Sequence, residues 1–344
     1  MTKKRLGIGF IGIVLVLILA APSFAQVIKL RLADQNPPQG WGPVNALQPW
    51  IKKVEAATKN RVKIEVYPSQ TLCKGPDTWN AVKSGVADMG WCNHGYWPEM
   101  TSLFETITLP GLPCRSSEHG SGVLYQLYEK FPSIQKEFKD VHPVLMWTSP
   151  PRFLITTKRL VKTMEDMKGL KLRISGGPPS DQLKAFGAIP IQMGMMDIYE
   201  AMSKGVIDGT DSSWEAISSF KFYEVAKNYT FTNLSLYVFS IIMNKEKWDD
   251  LPKDIQQAIT SVSGLEGSKL FGRNWYDDIE PSVIEKIKKE GIAMNTYTLP
   301  PEEVKRWRSV AGEPVWKNWV KKMEGKGLPE AQQILNTTLE MLEK

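Results

Sequence analysis

The sequence predicts an α/β protein of two lobes, each a mixed sheet flanked by helices, and three observations carry that prediction. Strand-like alternation and helix-like periodicity take turns along most of the chain, the pattern of sheets covered by helices. The phrase NAVKSGVADMG (80–90) returns as EAMSKGVIDGT (200–210) with the same A-x-x-x-G-V-x-D skeleton, one copy for each lobe. Between the copies, Pro150-Pro151 separates two strand-like runs and cannot continue a ladder, which marks a crossing between lobes.

Taken in order, Ile28, Leu30 and Leu32 alternate with Lys29 and Arg31 as a strand does. After a turn rich in Pro and Gly, Leu47, Ile51, Val54 and Ala57 share one face of a helix expected over 44–59. Val62, Ile64 and Val66 alternate again, and a helix and a strand (88–92) complete the first repeated phrase. In each copy the glycine, Gly85 or Gly205, ends a helix because it accepts the left-handed conformation, and Val86 or Val206 is expected to start a buried strand. Residues 103–114 read as loop. Helices are expected at 117–130 and 132–139, and strands at 143–148 and 153–157. The second series has strands at 170–174 and 189–192 around a helix at 179–186. The run 233–244 is long enough for a strand crossing back to the first lobe. The remainder is mostly helical, at 253–289, 301–322 and 329–344, with a strand near 292–298. The first of these would be a long spine across both lobes unless Gly264 and Pro281 divide it.

The N-terminus carries Lys3, Lys4 and Arg5, an apolar run from Leu6 to Ala21, and then Ser23-Phe24-Ala25. That run is too short to span a bilayer and is followed by small residues suited to a signal peptidase, so residues 1–25 are expected to be a cleaved secretory signal and the protein exported. Without them the formal charge falls from +6 to +3 over 319 residues, which calls for neither nucleic acid nor an anionic membrane as partner. Cys73, Cys92 and Cys114 are too few for a disulfide scaffold. Their positions leave open a Cys73–Cys114 pairing with Cys92 buried in a strand. His94, His119 and His142 lack metal-ligand spacing, and no cofactor or metal is implied.

No P-loop, dinucleotide fingerprint, nucleophile elbow or H-E-x-x-H motif is present, and nothing pairs a nucleophile with a base. What remains suits a small anion. Arg173 ends the apolar run GLKLRI before a Gly-Gly-Pro-Pro turn, and Arg152 follows the double proline; a guanidinium offers a planar fork that matches a carboxylate or sulfonate. Trp41 and Trp214 lie in polar, turn-rich surroundings and are candidates for an apolar pocket wall, whereas Trp91 suits core packing equally well. Asn93 and Ser212 follow the two repeated phrases, at strand ends where open α/β sheets bind ligands.

The segments LRLADQNPP, VYPSQTL, RFLITTKRLVKTMEDMKGLKLRI, FGAIPIQMGMMDIYEAMSKGVIDGTDSS and MNKEKWDDLP, in this order, resemble the dicarboxylate-binding type of solute-binding proteins of tripartite ATP-independent periplasmic (TRAP) transporters. The resemblance covers essentially all of the chain after residue 25. It implies a two-lobed periplasmic binding protein fold with crossing strands and a long helix. The implied lobes are 26–149 plus 238–278 and 150–237 plus 279–344. It implies that Arg173 makes the principal contact with the solute's acid group, that Arg152 is a second arginine near it, and that Gln35, Asn93, Met195 and Ser212 line the pocket. Met195 stands near where relatives often carry an aromatic, Ser212-Ser213 replaces Asn-Pro, and Asn93 replaces the acid of some sugar-acid binders. These departures point to a smaller or more apolar anion than sialic acid. The expected function is capture of a small organic acid, a carboxylate, keto acid or sulfonate, for delivery to TRAP membrane subunits, without catalysis. The chain is expected to be a monomer, with dimerisation through the C-terminal helices left open. A secreted hydrolase or lyase using the same cleft, and a solute-sensing receptor component, are the alternatives.

Overall fold

A computed structural model describes residues 27–232 and 235–344. The expected signal segment lies outside the described residues, as do Asn233 and Leu234 of the run expected to cross back.

Eleven strands are present among the described residues: β1 (Ile28–Ala33), β2 (Val62–Tyr67), β3 (Met89–Asn93), β4 (Val141–Thr148), β5 (Phe153–Thr156), β6 (Lys171–Ile174), β7 (Ile189–Gln192), β8 (Gly209–Ser212), β9 (Asn228–Phe231), β10 (Val238–Asn244) and β11 (Asn295–Thr298). They form two sheets, ordered β2-β1-β3-β10-β4 and β7-β6-β8-β5-β9-β11. Written this way the sheets match position by position. β1 is parallel to β2 and β3 as β6 is to β7 and β8. β10 runs antiparallel to β3 and β4 as β5 does to β8 and β9, and β11 is an added edge strand.

Two strand-to-strand passages join the sheets, from β4 to β5 through Pro150-Pro151 and from β9 to β10, and a third leads through helices from β10 to β11. The first two are tied together where the Ser149 N–H donates to the Tyr237 carbonyl (2.9 Å) and the Arg152 N–H to that of Ser235 (2.7 Å). Arg152 therefore stands at the joint between lobes.

The repeated phrase performs the same work in each sheet. The Asp88 N–H donates to the Arg31 carbonyl of β1 while its carboxylate accepts from the Arg31 N–H (2.8 Å); Asp208 does the same with Lys171 of β6 (2.9 Å). Asn244 and Thr157 then donate to the carbonyls of Asp88 and Asp208, both at 2.9 Å. Each aspartate thus pins the entry of a central strand to both neighbours. Gly85 (φ 77°) and Gly205 (φ 70°) end the preceding helices in the left-handed region, as expected. One expectation fails: Val86 and Val206 are 51% and 55% exposed, because the strands begin only at Met89 and Gly209 and the valines ride on the connecting turns.

The helices follow the predicted pattern with local differences. Pro43–Leu47 is a π-helical turn that runs into the α-helix Gln48–Ala57. The stretch read as loop holds a 3-10 segment, Phe104–Thr108. The stretch 253–289 is divided at both places left open, into Lys253–Ser263, Leu265–Tyr276 and Glu280–Lys289; Pro281 sits in the first turn of the last, where its missing N–H costs nothing. Gly312 divides 301–325 likewise. Helix Leu265–Tyr276 packs on β4, on helix Ser117–Lys130 and on the 43–47 turn, and the C-terminal helix Ala331–Glu343 also packs on Ser117–Lys130. A division that gives all of 279–344 to the second lobe does not foresee that last contact. Cys73, Cys92 and Cys114 are free thiols, so the Cys73–Cys114 pairing is not formed. No helix among the described residues is long and apolar enough to cross a membrane.

Candidate functional site

Where the two sheets face each other lies a small cleft bounded by both lobes, with about 350 Å³ of empty space that includes its opening to solvent. Five of the expected residues line it together: Gln35 beyond β1, Asn93 at the end of β3, Arg152 at the interlobe joint, Arg173 in β6 and Met195 beyond β7. Three others do not. Ser212, the last residue of β8, pairs with Phe153 in the ladder, and it is the next residue, Ser213 at the cap of the following helix, that lines the cavity. Trp214 is packed in the second lobe's core against Phe153 and Tyr229. Trp41 serves as a clasp: its N–H donates to Ser219 Oγ (3.2 Å) and its indole to the Asn274 carbonyl (3.0 Å).

Both arginines are buried, Arg173 at 1% exposure and Arg152 at 3%, but their surroundings differ. Arg152 has a protein counter-charge. It donates to the Asp211 carbonyl (2.8 Å), lies 3.5 Å from the Asp211 carboxylate, and stacks 4.3 Å from the centre of the Tyr237 ring. Asp211 also accepts from Tyr237 Oη (2.9 Å) and Ser235 Oγ (3.2 Å), so this charge pair is compensated on both sides. Arg173 has no carboxylate partner among the described residues. Its Nε and one Nη both donate to the Met193 carbonyl (3.1 and 3.0 Å), which fixes the plane of the guanidinium and leaves donors for the cavity. A buried cation held by a neutral oxygen retains most of its desolvation cost, which an incoming anion would offset.

The lobes are joined next to Arg173. Tyr96 Oη donates to Gln35 Oε1 (3.1 Å) and accepts the Met195 N–H (3.1 Å), linking the first lobe to the second. Burial raises the Tyr96 phenol above its ordinary range while the Arg173 charge opposes the shift, so Tyr96 remains a neutral donor.

One wall is aromatic. Trp91, Tyr237, Phe239, Trp275 and Tyr276 line the cavity, with Trp91 and Phe239 5.0 Å apart and Trp91 and Trp275 5.7 Å apart. Of these only Trp91 was a candidate in the sequence. Trp275 comes from helix Leu265–Tyr276 and lies on Gly42, where any Cβ would collide with the indole at 2.0 Å. The Trp91 indole N–H has no acceptor among the described residues, and neither does Arg152 Nε. Glu215, also unforeseen, completes the lining.

Two α/β lobes with paired crossing strands, closed around a cavity that contains an uncompensated guanidinium and an aromatic wall, define a two-lobed binding protein for small anions. The chain belongs to the family described as bacterial extracellular solute-binding protein, family 7, whose family model matches residues 36–322. It is similar to the C4-dicarboxylate-binding periplasmic protein DctP of Rhodobacter capsulatus, 26% identical over 90% of this chain and 92% of that one. Among solved structures, a TRAP solute-binding protein from Rhodoferax ferrireducens T118 with copurified benzoate superimposes with a TM-score of 0.86 at 27% identity, over 92% of this chain and 98% of that chain. A marine metagenome TRAP solute-binding protein specific for aromatic acid ligands, holding 3-hydroxybenzoate, gives 0.85 at 26% identity, with the same coverage. The family is one of transport, and this chain is a TRAP-type solute-binding protein.

Proposed function

We propose that the chain captures an aromatic monocarboxylate in the interlobe cavity and delivers it, chemically unchanged, to TRAP membrane subunits at the outer face of the inner membrane. Arg173 carries this reading: it is a buried guanidinium, aimed by Met193 and open to the cavity, with no acid to neutralise it. One such cation suits one carboxylate, since Arg152 is already paired with Asp211. The wall of Trp91, Phe239 and Trp275 suits a ring. The benzoate and 3-hydroxybenzoate held by the two similar structures favour the same class over a C4-dicarboxylate.

Binding works through closure. The solute's carboxylate touches Arg173 of the second lobe while its ring meets Trp91 and Phe239 of the first, so only the closed state makes both contacts and ligand shifts the equilibrium towards it. Tyr96 and Trp41 fasten the lobes, Tyr96 directly beside the Arg173 guanidinium. Gln35, Asn93 and Met195 complete the lining.

The test is a calorimetric panel of benzoate, hydroxybenzoates, succinate and glucuronate on the chain lacking residues 1–25. Benzoate-class ligands should bind in the micromolar range or tighter, and succinate far more weakly. A preference for succinate or glucuronate, or no binding by any, overturns the proposal. Mass spectrometry of the recovered ligand should show it unaltered, and cell fractionation should place the processed protein in the periplasm as a monomer.

A further inference from the structure

Glu215 is a carboxyl in the cavity wall that anion capture does not require. It is buried, and no cation lies within ion-pairing distance among the described residues. Ser219 Oγ donates to it at 2.6 Å, and the Gly42 N–H and the Trp275 indole also hold it. Arg152 is the nearest cation to influence it, and Arg152 is engaged by Asp211. Behind Glu215 lies Asp34 of the opposite lobe, also buried; its Oδ1 accepts twice from Asn36 and its Oδ2 has no partner. Glu215 acts on Asp34 through space. Burial raises both, Asp34 to about 7.

A carboxyl has about four acceptor positions, and three donors from the protein leave room for one more. We propose that Glu215, with Asp34 behind it, is the specificity-determining group of the cavity: it accepts a hydrogen bond from a hydroxyl on the solute's ring and excludes a second anionic group, so that hydroxylated aromatic monocarboxylates are preferred over aromatic dicarboxylates. Two arginines in one cavity would otherwise invite a diacid. Asp211 cancels one of them, and a second carboxylate placed against Glu215 would either meet its charge or require it to take up a proton. This inference rests on the reading of the cavity as a carboxylate site and specifies the rest of the solute.

The experiment is calorimetric titration of wild type, Glu215→Gln and Asp34→Asn with benzoate, 3-hydroxybenzoate, 4-hydroxybenzoate and isophthalate. In wild type at least one hydroxybenzoate should bind about tenfold more tightly than benzoate, because an unfilled buried acceptor is costly. Isophthalate should bind roughly a hundredfold more weakly than benzoate, through like-charge juxtaposition. Glu215→Gln keeps the shape and should bring isophthalate at least about tenfold closer to benzoate, both measured on the same variant so that any change in benzoate binding itself is divided out. Asp34→Asn, which touches no solute, should move isophthalate in the same direction by a smaller factor. If wild type binds benzoate but neither variant alters the ranking, the role of Glu215 is wrong and the carboxylate site stands. If wild type binds no member of the panel, both fail.

Discussion

Arg152 and Arg173 enter the same cavity with the same side chain and the same burial, yet protein chemistry finishes one and leaves the other open. Arg152 stands where two passages of the chain cross, with Asp211 and Tyr237 available to pair with it. Arg173 stands on a parallel strand of the second sheet with only neutral groups, the Met193 carbonyl and the Tyr96 hydroxyl, recorded beside its guanidinium. Burial of the charge is common to both, so the missing counter-charge is what sets Arg173 apart. Arg152 holds the joint, and Arg173 is the residue proposed to receive the solute.

Removing either charge should break the comparison in opposite ways. Arg173→Ala should lower the affinity for benzoate-class ligands by at least about 30-fold, since a buried charged hydrogen-bonding partner commonly contributes 2–5 kcal/mol to a complex. Ligand-free stability, followed by urea unfolding, should be unchanged or raised, because an unpaired buried charge is lost. Asp211→Asn is expected to reverse that pattern: it leaves Arg152 uncompensated and should cost about 3 kcal/mol of unfolding free energy.

A smaller effect concerns pH. Asp34 is pushed up to about 7, Glu137 to about 7 and Glu105 to about 8 by burial. Each folded-state value exceeds the unfolded one, so these groups favour the folded protein when protonated, and their contribution falls as pH rises through those values. His94 and His142 are lowered by burial to about 3 and about 4, so their contribution is complete above pH 6.5 and lost as pH falls below it. The two sets oppose each other between about pH 4 and 6.5. From pH 6.5 to 8 only the carboxyls act, and the thermal midpoint of the ligand-free protein should decline there. Asp34→Asn should flatten that decline in part.

The smallest effect is expected at the fastening beside Arg173. Tyr96→Phe removes one hydroxyl that joins Gln35 to the Met195 amide and should weaken ligand binding by about three- to tenfold, the scale of one neutral hydrogen bond. The change should appear mainly in the dissociation rate measured by stopped-flow fluorescence.

The sheets were legible because strand alternation and the repeated phrase are local signals, and Asp88 and Asp208 sit in both copies at equivalent ladder positions. Arg173 was legible because a charge at the end of an apolar strand is locally anomalous. Trp41 and Trp214 misled for the complementary reason: their polar neighbours in sequence are not their neighbours in space, which are Asn274 and Ser219 for one and Phe153 and Tyr229 for the other. Phe239, Trp275 and Tyr276 were hidden because the cavity wall is continuous with the core, and periodicity gives a wall residue and a core residue the same signature. Glu215 was hidden in a helix start, where an acid is expected on other grounds.

The central claim is that Arg173 alone receives the carboxylate while Arg152 with Asp211 forms a closed structural pair. Its most direct test is calorimetric titration of benzoate into Arg173→Ala and into the double variant Arg152→Met, Asp211→Asn, which removes both charges of the pair together. The expected result is loss of measurable binding in the first and an affinity within about tenfold of wild type in the second. Retained binding in Arg173→Ala, or abolished binding in a folded double variant, would contradict it.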